Sequence, residues 1–361
     1  MRLFVAVGLY LAIIWGTLTS SGADAVVDEI TLYVPAFAGP ESLGQNVATV
    51  LNLQVWQTFR RAPSPNPKKL DFGKGKVIWD NRPLEIVTHE YAESRTSDLY
   101  AQMVMWGKAY SYGDGVVVQT YLSIPDYDDF RETKLERWQV SLAGKTIVVD
   151  LPRRRHEMAP IHLSRNVIAR YSSPSALEIY DEHKGGTPKG AIGDTFVALQ
   201  FESDAAKVMS DTIKGWVRLP VLSENRTEVV DFVGGVVRIF RGDWEGATRL
   251  MQQVINNPNT RISLKIDAYL YLAMALARQH LDGYPPVEKA LELNPFNRRA
   301  VEYAIMCDLV ALTQTVTGPN HPPKAAVLAH RIVGIVEANR DLFQEDDPWL
   351  RDVLQVAKKY Q

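Results

Sequence analysis

The apolar pattern changes near residue 222, and this limits the fold more than any other feature of the chain. Before that point apolar residues fall in short runs between turns; beyond it they recur at helical spacing with almost no two-residue alternation. Strand-like and helical periods bury different faces, so the chain needs a sheet-containing part followed by a part built from helices alone. In the second part, residues 233–240, 243–254, 262–277 and 287–293 read as helices, followed by 298–313, 324–339 and 349–359. Pro258 and Pro295, 37 positions apart, each close a helix pair, with a small insertion expected around residues 282–286. Pro319, Pro322 and Pro323 mark a break before the helix at 324.

The first part reads strand, helix, strand, helix, hairpin. Residues 30–34 form a strand ended by Pro35. In the helix 43–60, Val47, Val50, Leu51, Val55 and Phe59 make one apolar stripe, and the prolines of 63–67 stop it. A short strand at 76–79 and a polar helical stretch at 92–99 follow. The runs 103–109 and 116–124 flank Tyr112-Gly113-Asp114-Gly115, where the Asp-Gly step accepts positive φ and predicts a hairpin. From 138 to 222 short strands are expected at 145–149, 167–171, 177–180, 195–199 and 216–219, a spacing that suits a small barrel.

The amino terminus concerns address. Met1-Arg2 is followed by an almost wholly apolar run to Leu18, a polar stretch, and Ala23-Asp24-Ala25. A basic start, a short apolar core and an Ala-x-Ala end describe a signal peptide cleaved after Ala25, which sends the protein to the periplasm or otherwise outside. The competing reading is an uncleaved anchor, although the run is slightly short for a relaxed span of about 20 residues. No later segment is apolar enough to span a membrane. Cys307 is the single cysteine, so no internal disulfide is possible; it lies in an apolar helix and reads as a buried thiol. Stability then rests on burial, which 46% hydrophobic residues allow. The formal net charge of −2 gives no basic excess for nucleic acid or an anionic membrane.

The sequence carries no local signature of catalysis, and no cofactor is expected. His156 and His162, with Glu157 beside the first, are the closest histidine pair and lack zinc-site spacing. Gly73-Lys74-Gly75-Lys76 lacks the spacing of a phosphate loop and reads as a turn into a strand. Gly185 to Gly190 reads as a hairpin loop. Arg153-Arg154-Arg155 is the densest positive cluster; it is either an acceptor for phosphate or an acidic partner, or a solvated face paired with nearby acids such as Glu157. Trp216 and Trp244 are read as core side chains ahead of ligand platforms.

Three resemblances follow from these residues. The β-α-β-α-β-β order, with Val104-Met105-Trp106-Gly107-Lys108 entering a hairpin through Gly113-Asp114, resembles the amino-terminal α/β domain of TolB-type periplasmic proteins, over residues 26–125. Leu177-Glu178-Ile179-Tyr180, Gly190-Ala191-Ile192-Gly193 and Lys214-Gly215-Trp216-Val217-Arg218-Leu219 resemble a bacterial SH3-like domain at 176–222, departing from it by an insert at 202–213. Gly242-Asp243-Trp244-Glu245-Gly246-Ala247 and Ala290 to Pro295 resemble tetratricopeptide repeats, with Gly242 ending one helix, Asp243 capping the next and Ala247 at the close approach. The implied fold is multi-domain α+β: a signal peptide at 1–25, an α/β domain at 26–137, a β-rich region at 138–222 with an SH3-like β-barrel, and a helical repeat domain at 223–361. The implied function is a non-catalytic adaptor or scaffold of the bacterial envelope with a protein partner. Peptidoglycan binding through the SH3-like part, with Tyr180, Gly215 and Trp216 as candidates, is the first alternative. An enzyme with an unrecognised site is the second.

Overall fold

The computed structural model describes residues 30–40, 43–60, 75–80, 86–99, 101–125, 138–165, 168, 178–191, 195–201, 205–210, 213–218, 228–317 and 322–361. The expected signal peptide and the proline loop at 63–67 lie outside these residues. The fold is mixed α+β, and no helix among the described residues is long and apolar enough to cross a membrane.

β1 (Ile30–Pro35) lies between two parallel neighbours, β2 (Gly75–Asp80) and β3 (Met103–Tyr112). Parallel strands need a long connection, and α1 (Leu43–Arg60) lies between β1 and β2 while α2 (His89–Leu99) lies between β2 and β3. Both faces of β1 are covered. Leu32 and Val34 join Val47, Leu51 and Val55 of α1 in one core, and Tyr33 joins Ile86, Ala92, Val104 and Trp106 in another. β4 (Gly115–Ser123) pairs antiparallel with β3, with Tyr112 opposite Gly115. The turn is therefore Gly113-Asp114, and the positive φ falls on Gly113 (57°), not on the expected Asp-Gly step.

β5 (Trp138–Leu142) and β6 (Lys145–Val149) form a separate two-stranded ribbon. β7 (Arg155–Glu157) and β8 (Ile161–Ser164) both pair with β4. β9 (Glu178–Tyr180), β10 (Pro188–Ala191), β11 (Thr195–Phe201), β12 (Ala205–Ser210) and β13 (Ile213–Arg218) then run in the order β10-β9-β13-β12-β11. Two expectations change here. The presumed insert at 202–213 contains β12, which pairs with β11 and β13 in a meander. The strands also close no barrel among the described residues: the outer edge of β11 pairs with β2, Thr195 opposite Asp80 and Phe196 opposite Trp79, so the sheet continues instead of closing. Only Ile168 of the expected strand 167–171 is described; it is buried and helical.

The helical part consists of α3 (Glu228–Phe240), α4 (Trp244–Asn256), α5 (Ile262–Arg278), α6 (Tyr284–Leu293), α7 (Arg298–Thr317), α8 (Pro322–Ala338) and α9 (Pro348–Ala357). Each packs on the next, and α3 also touches α5, as α5 touches α7. α3, α5 and α7 thus form a layer of their own. The expected insertion at 282–286 holds the first turn of α6, whose prolines stand where no helical N–H is needed. All 13 residues of α3 are buried, because α1 and β1 pack on it as well as α4 and α5. One apolar core runs from Leu32 to Ala357, across the expected boundaries at 137 and 222.

Candidate functional site

The layer of α3, α5 and α7 carries buried acids: Glu228 (4% exposed), Asp231 (8%), Asp267 (2%) and Glu302 (5%). A carboxylate is expensive to bury without partners, so each marks a place where something meets it. Residues 150–159 of the same chain supply much of what these helices meet. This segment crosses α7, α5 and α3 in turn. The Tyr303 hydroxyl donates to the Asp150 carbonyl at 3.3 Å, and the Tyr271 hydroxyl to the Arg153 carbonyl at 3.5 Å. His156 Nδ1 lies 3.1 Å from Asp267 Oδ2, and Arg153 Nε lies 3.5 Å from the same oxygen. The His156 ring packs against Phe232 of α3 at 4.8 Å, and Glu228 Oε1 accepts the Ala159 N–H at 2.8 Å. Burial holds both phenols, Tyr271 and Tyr303, well above the usual tyrosine range, so they stay donors.

The other side of the segment bonds to the sheet. Ile124 N donates to Arg154 O at 2.8 Å, Met158 N to Thr120 O at 3.1 Å, and Gln119 Nε2 to Met158 O at 2.7 Å. Leu151, His156 and Met158 are all buried. The β5–β6 ribbon extends the contact onto α7 and α9. Trp138 meets Tyr303 edge-on at 5.0 Å, Lys145 Nζ pairs with Asp352 at 2.8 Å, and Lys359 Nζ donates to the Ala143 carbonyl at 2.8 Å. The inner helical face is filled by the chain itself.

Arg153 and Arg155 of the arginine run are exposed and paired with acids, and Glu157 is not one of those acids. Arg153 turns to Asp267; Arg154 donates to the Pro125 carbonyl at 2.9 Å; Arg155 pairs with Glu90 (2.5 Å) and Glu93 (2.8 Å) of α2, which raise its pKa. Glu157 pairs instead with Arg261 at 2.8 Å. Alternation along β7 explains the split: His156 points to the helices, and Arg155 and Glu157 point away. His156 and His162 do not converge, since His162 is exposed and meets Tyr112 at 6.5 Å. Among the described residues no group of three metal-ligating side chains exists.

The turn between α3 and α4 forms as its sequence implies. Gly242 takes a left-handed φ of 66°, and Asp243 Oδ1 caps α4 by accepting the Gly246 N–H at 3.0 Å. Asp243 also pairs with Arg238, a buried guanidinium whose pKa burial lowers. Ala247 is fully buried, and half-buried Trp244 lies under the Arg278 guanidinium at 5.7 Å.

Trp216 departs from the expectation of a core ring. On β13 Gly215 and Val217 are buried and Trp216 is only half-buried, with His183 at 5.0 Å and Lys207 Nζ at 5.6 Å from its ring. Tyr180, opposite it on β9, is half-buried too. Gly215 itself is tightly held: a Cβ there would lie 2.3 Å from the Tyr180 carbonyl oxygen.

A polar cluster lies under α2. His89 Nδ1 is 2.7 Å from Ser123 Oγ, which also accepts the Trp106 indole N–H at 2.9 Å. Ser123 is fully buried and His89 is half-buried. Sequence reading missed Glu228, Asp267, Tyr271 and Tyr303. Their signal is a charged or hydroxylated residue inside an otherwise apolar helix, as in Ile266-Asp267-Ala268. No protein-family model, curated protein or solved structure matches this chain.

Proposed function

We propose that the chain is an exported, non-catalytic scaffold of the cell envelope, in which a tetratricopeptide-like stack grips the chain's own basic segment and leaves outward faces for a protein partner. The observation that carries this reading is the set of contacts from residues 150–159 to Tyr303, Tyr271, Asp267 and Glu228. An extended segment lying across successive helices is how helical repeats hold peptides. The order of the α/β elements suits a TolB-like amino-terminal domain. The sheet face that bears Tyr110 (52% exposed) and Tyr112 (71%) is open and aromatic, a composition that protein interfaces favour. A photo-crosslinking residue at Tyr112 of the exported full chain is expected to trap a partner in the envelope, and one at Met158 to trap none. Adducts from Met158 and none from Tyr112 would overturn the reading.

A second reading is peptidoglycan binding by an SH3-like unit. The strands β10, β9, β13, β12 and β11 are consecutive neighbours in the sheet, which suits an SH3-like set of strands. The outward cluster of Tyr180, His183, Lys207 and Trp216 favours a ligand platform on it. Retention on purified peptidoglycan that Trp216→Ala abolishes supports this reading; equal retention of both proteins removes it.

A further inference from the structure

On the sheet face that bears Trp106, α2 covers only one end. His89 meets Trp106 and Tyr121 edge-on at 5.1 Å and 5.5 Å, and the sheet runs on past it. The unbroken register of β3, β4 and β8 fixes what lies beyond: Lys108 opposite Gln119, then Tyr110 opposite Val117 and His162, then Tyr112 opposite Gly115 and Ser164. Partners across a ladder share a face, so these side chains stand together. Tyr110 is 52% exposed and Tyr112 71%, and the exposed His162 ring meets Tyr112 at 6.5 Å. The surface is therefore flat and aromatic, and Val117 alone among these residues is aliphatic.

This surface offers free donors. Lys108 can only donate, and the phenols of Tyr110 and Tyr112 each carry an O–H; none of the three has a hydrogen-bond partner among the described residues. Glu157 and Gln119, on the same face, are already engaged: Arg261 holds Glu157 at 2.8 Å, and the Gln119 amide donates to the Met158 carbonyl at 2.7 Å. A proline-rich segment is the complement. It carries a carbonyl acceptor at every residue and no N–H at its prolines, and such segments dock on aromatic surfaces. In the polyproline II form residues two apart are separated by about 6.2 Å, close to the roughly 6.8 Å between Tyr110 and Tyr112 along β3. An amphipathic helix would need an apolar stripe to meet, and a glycan would need acceptors for its hydroxyl protons. We infer that the Tyr110–Tyr112 face binds an extended, proline-rich segment of the protein partner. This rests on the reading of that face as the partner surface and names the chemistry it recognises.

The test uses the protein with 3-fluorotyrosine in place of tyrosine. It follows the ¹⁹F signals of Tyr110 and Tyr112, identified by their loss in Tyr110→Phe and Tyr112→Phe. Titration with decaproline to about 10 mM captures a Kd near 1 mM. Both signals are expected to shift along one saturable curve. A decapeptide of alternating glycine and serine, with no preformed extended helix, is expected to bind at least about tenfold more weakly. Read at the Tyr110 signal, Tyr112→Ala is expected to weaken decaproline binding about tenfold and Lys108→Met about threefold. Unmoved signals of the buried Tyr33, Tyr271 and Tyr303 show that the fold is kept. Absence of a saturable shift with decaproline overturns the inference. So does equal binding of the glycine–serine peptide, or binding that ignores Tyr112→Ala. Saturation by a tetramer of N-acetylglucosamine but not by decaproline overturns it as well and makes the face a glycan site. A partner crosslinked from Tyr112 without decaproline binding removes this inference and keeps the partner surface.

Discussion

Replacing Asp267 by alanine tests the contact between the helical layer and the segment across it. Asp267 is 2% exposed and accepts His156 Nδ1 at 3.1 Å, with Arg153 Nε at 3.5 Å. His156 is 1% exposed, and its other ring nitrogen, Nε2, is buried with no hydrogen-bond partner among the described residues. Asp267→Ala therefore leaves an imidazole with no partner at either nitrogen. A buried donor stripped of its acceptor costs about 1–3 kcal/mol. The Arg153 side chain is 45% exposed, so its share is about 1 kcal/mol or less after solvent screening. The expected loss is about 1–4 kcal/mol. Asp267→Asn keeps an acceptor oxygen and is expected to lose about 1 kcal/mol. Urea unfolding of the protein reads both as midpoint shifts at constant slope. Hydrogen exchange at Ala159 and along β7 should quicken in the alanine variant first. Equal shifts in the two variants would refute the reasoning, because the acceptor would then not matter. A transition of the helical part that ignores both substitutions would refute it too.

Three further outcomes follow from the same contacts. Gly215→Ala sets a Cβ 2.3 Å from the Tyr180 carbonyl and 2.5 Å from Ile179 Cγ2, so a loss of about 1–3 kcal/mol and protease cutting within 178–218 are expected. Ala247→Leu overfills a fully buried position between α3 and α4 and should cost a similar amount, about 1–3 kcal/mol, read by thermal unfolding. His89 is held below its ordinary pKa of 6.5, by burial first and then by the Arg155 charge. The unfolded chain then binds that proton more readily, so the His89 contribution is full above 6.5 and is lost as pH falls through the window below it. His89→Gln, which can still bond Ser123, should flatten stability against pH in that window; an unchanged slope would remove His89 as its source.

Much of the secondary structure was legible because it depends on near neighbours. The stripe Val47-Val50-Leu51-Val55 marks α1, and Gly242-Asp243 marks the α3–α4 turn, each through contacts within a few residues. Boundaries moved where tertiary burial took over. α3 begins at Glu228 and not at 233; its first turn is buried, and Glu228 accepts the distant Ala159 N–H. Strand β12 was hidden in 202–213 because Ala205 to Ser210 alternates small, polar and apolar residues weakly. The candidate site was the least legible part. Tyr303 and Asp150 are 153 positions apart, and His156 and Asp267 are 111 apart. No local period encodes such pairs. The arginine run was visible as charge, but β7 alternation and distant acids decide which way each side chain turns.

A groove filled from within also bears on how any partner could engage this protein. To enter between the inner helices, a foreign peptide must expel residues 138–159, exposing Trp138, Ile147, Val149, Leu151 and Met158, none more than 4% exposed. At about 1.5–3 kcal/mol for each large apolar side chain returned to water, the expulsion costs on the order of 10 kcal/mol, before the β4 hydrogen bonds are counted. That equals the whole stability of an ordinary domain, about 5–15 kcal/mol. It also exceeds the gross free energy of micromolar binding, about 8 kcal/mol. A peptide would have to rebuild nearly every cis contact merely to break even. The low-cost surfaces are those already exposed: the Tyr110–Tyr112 face of the hairpin and the Trp216 face of the meander.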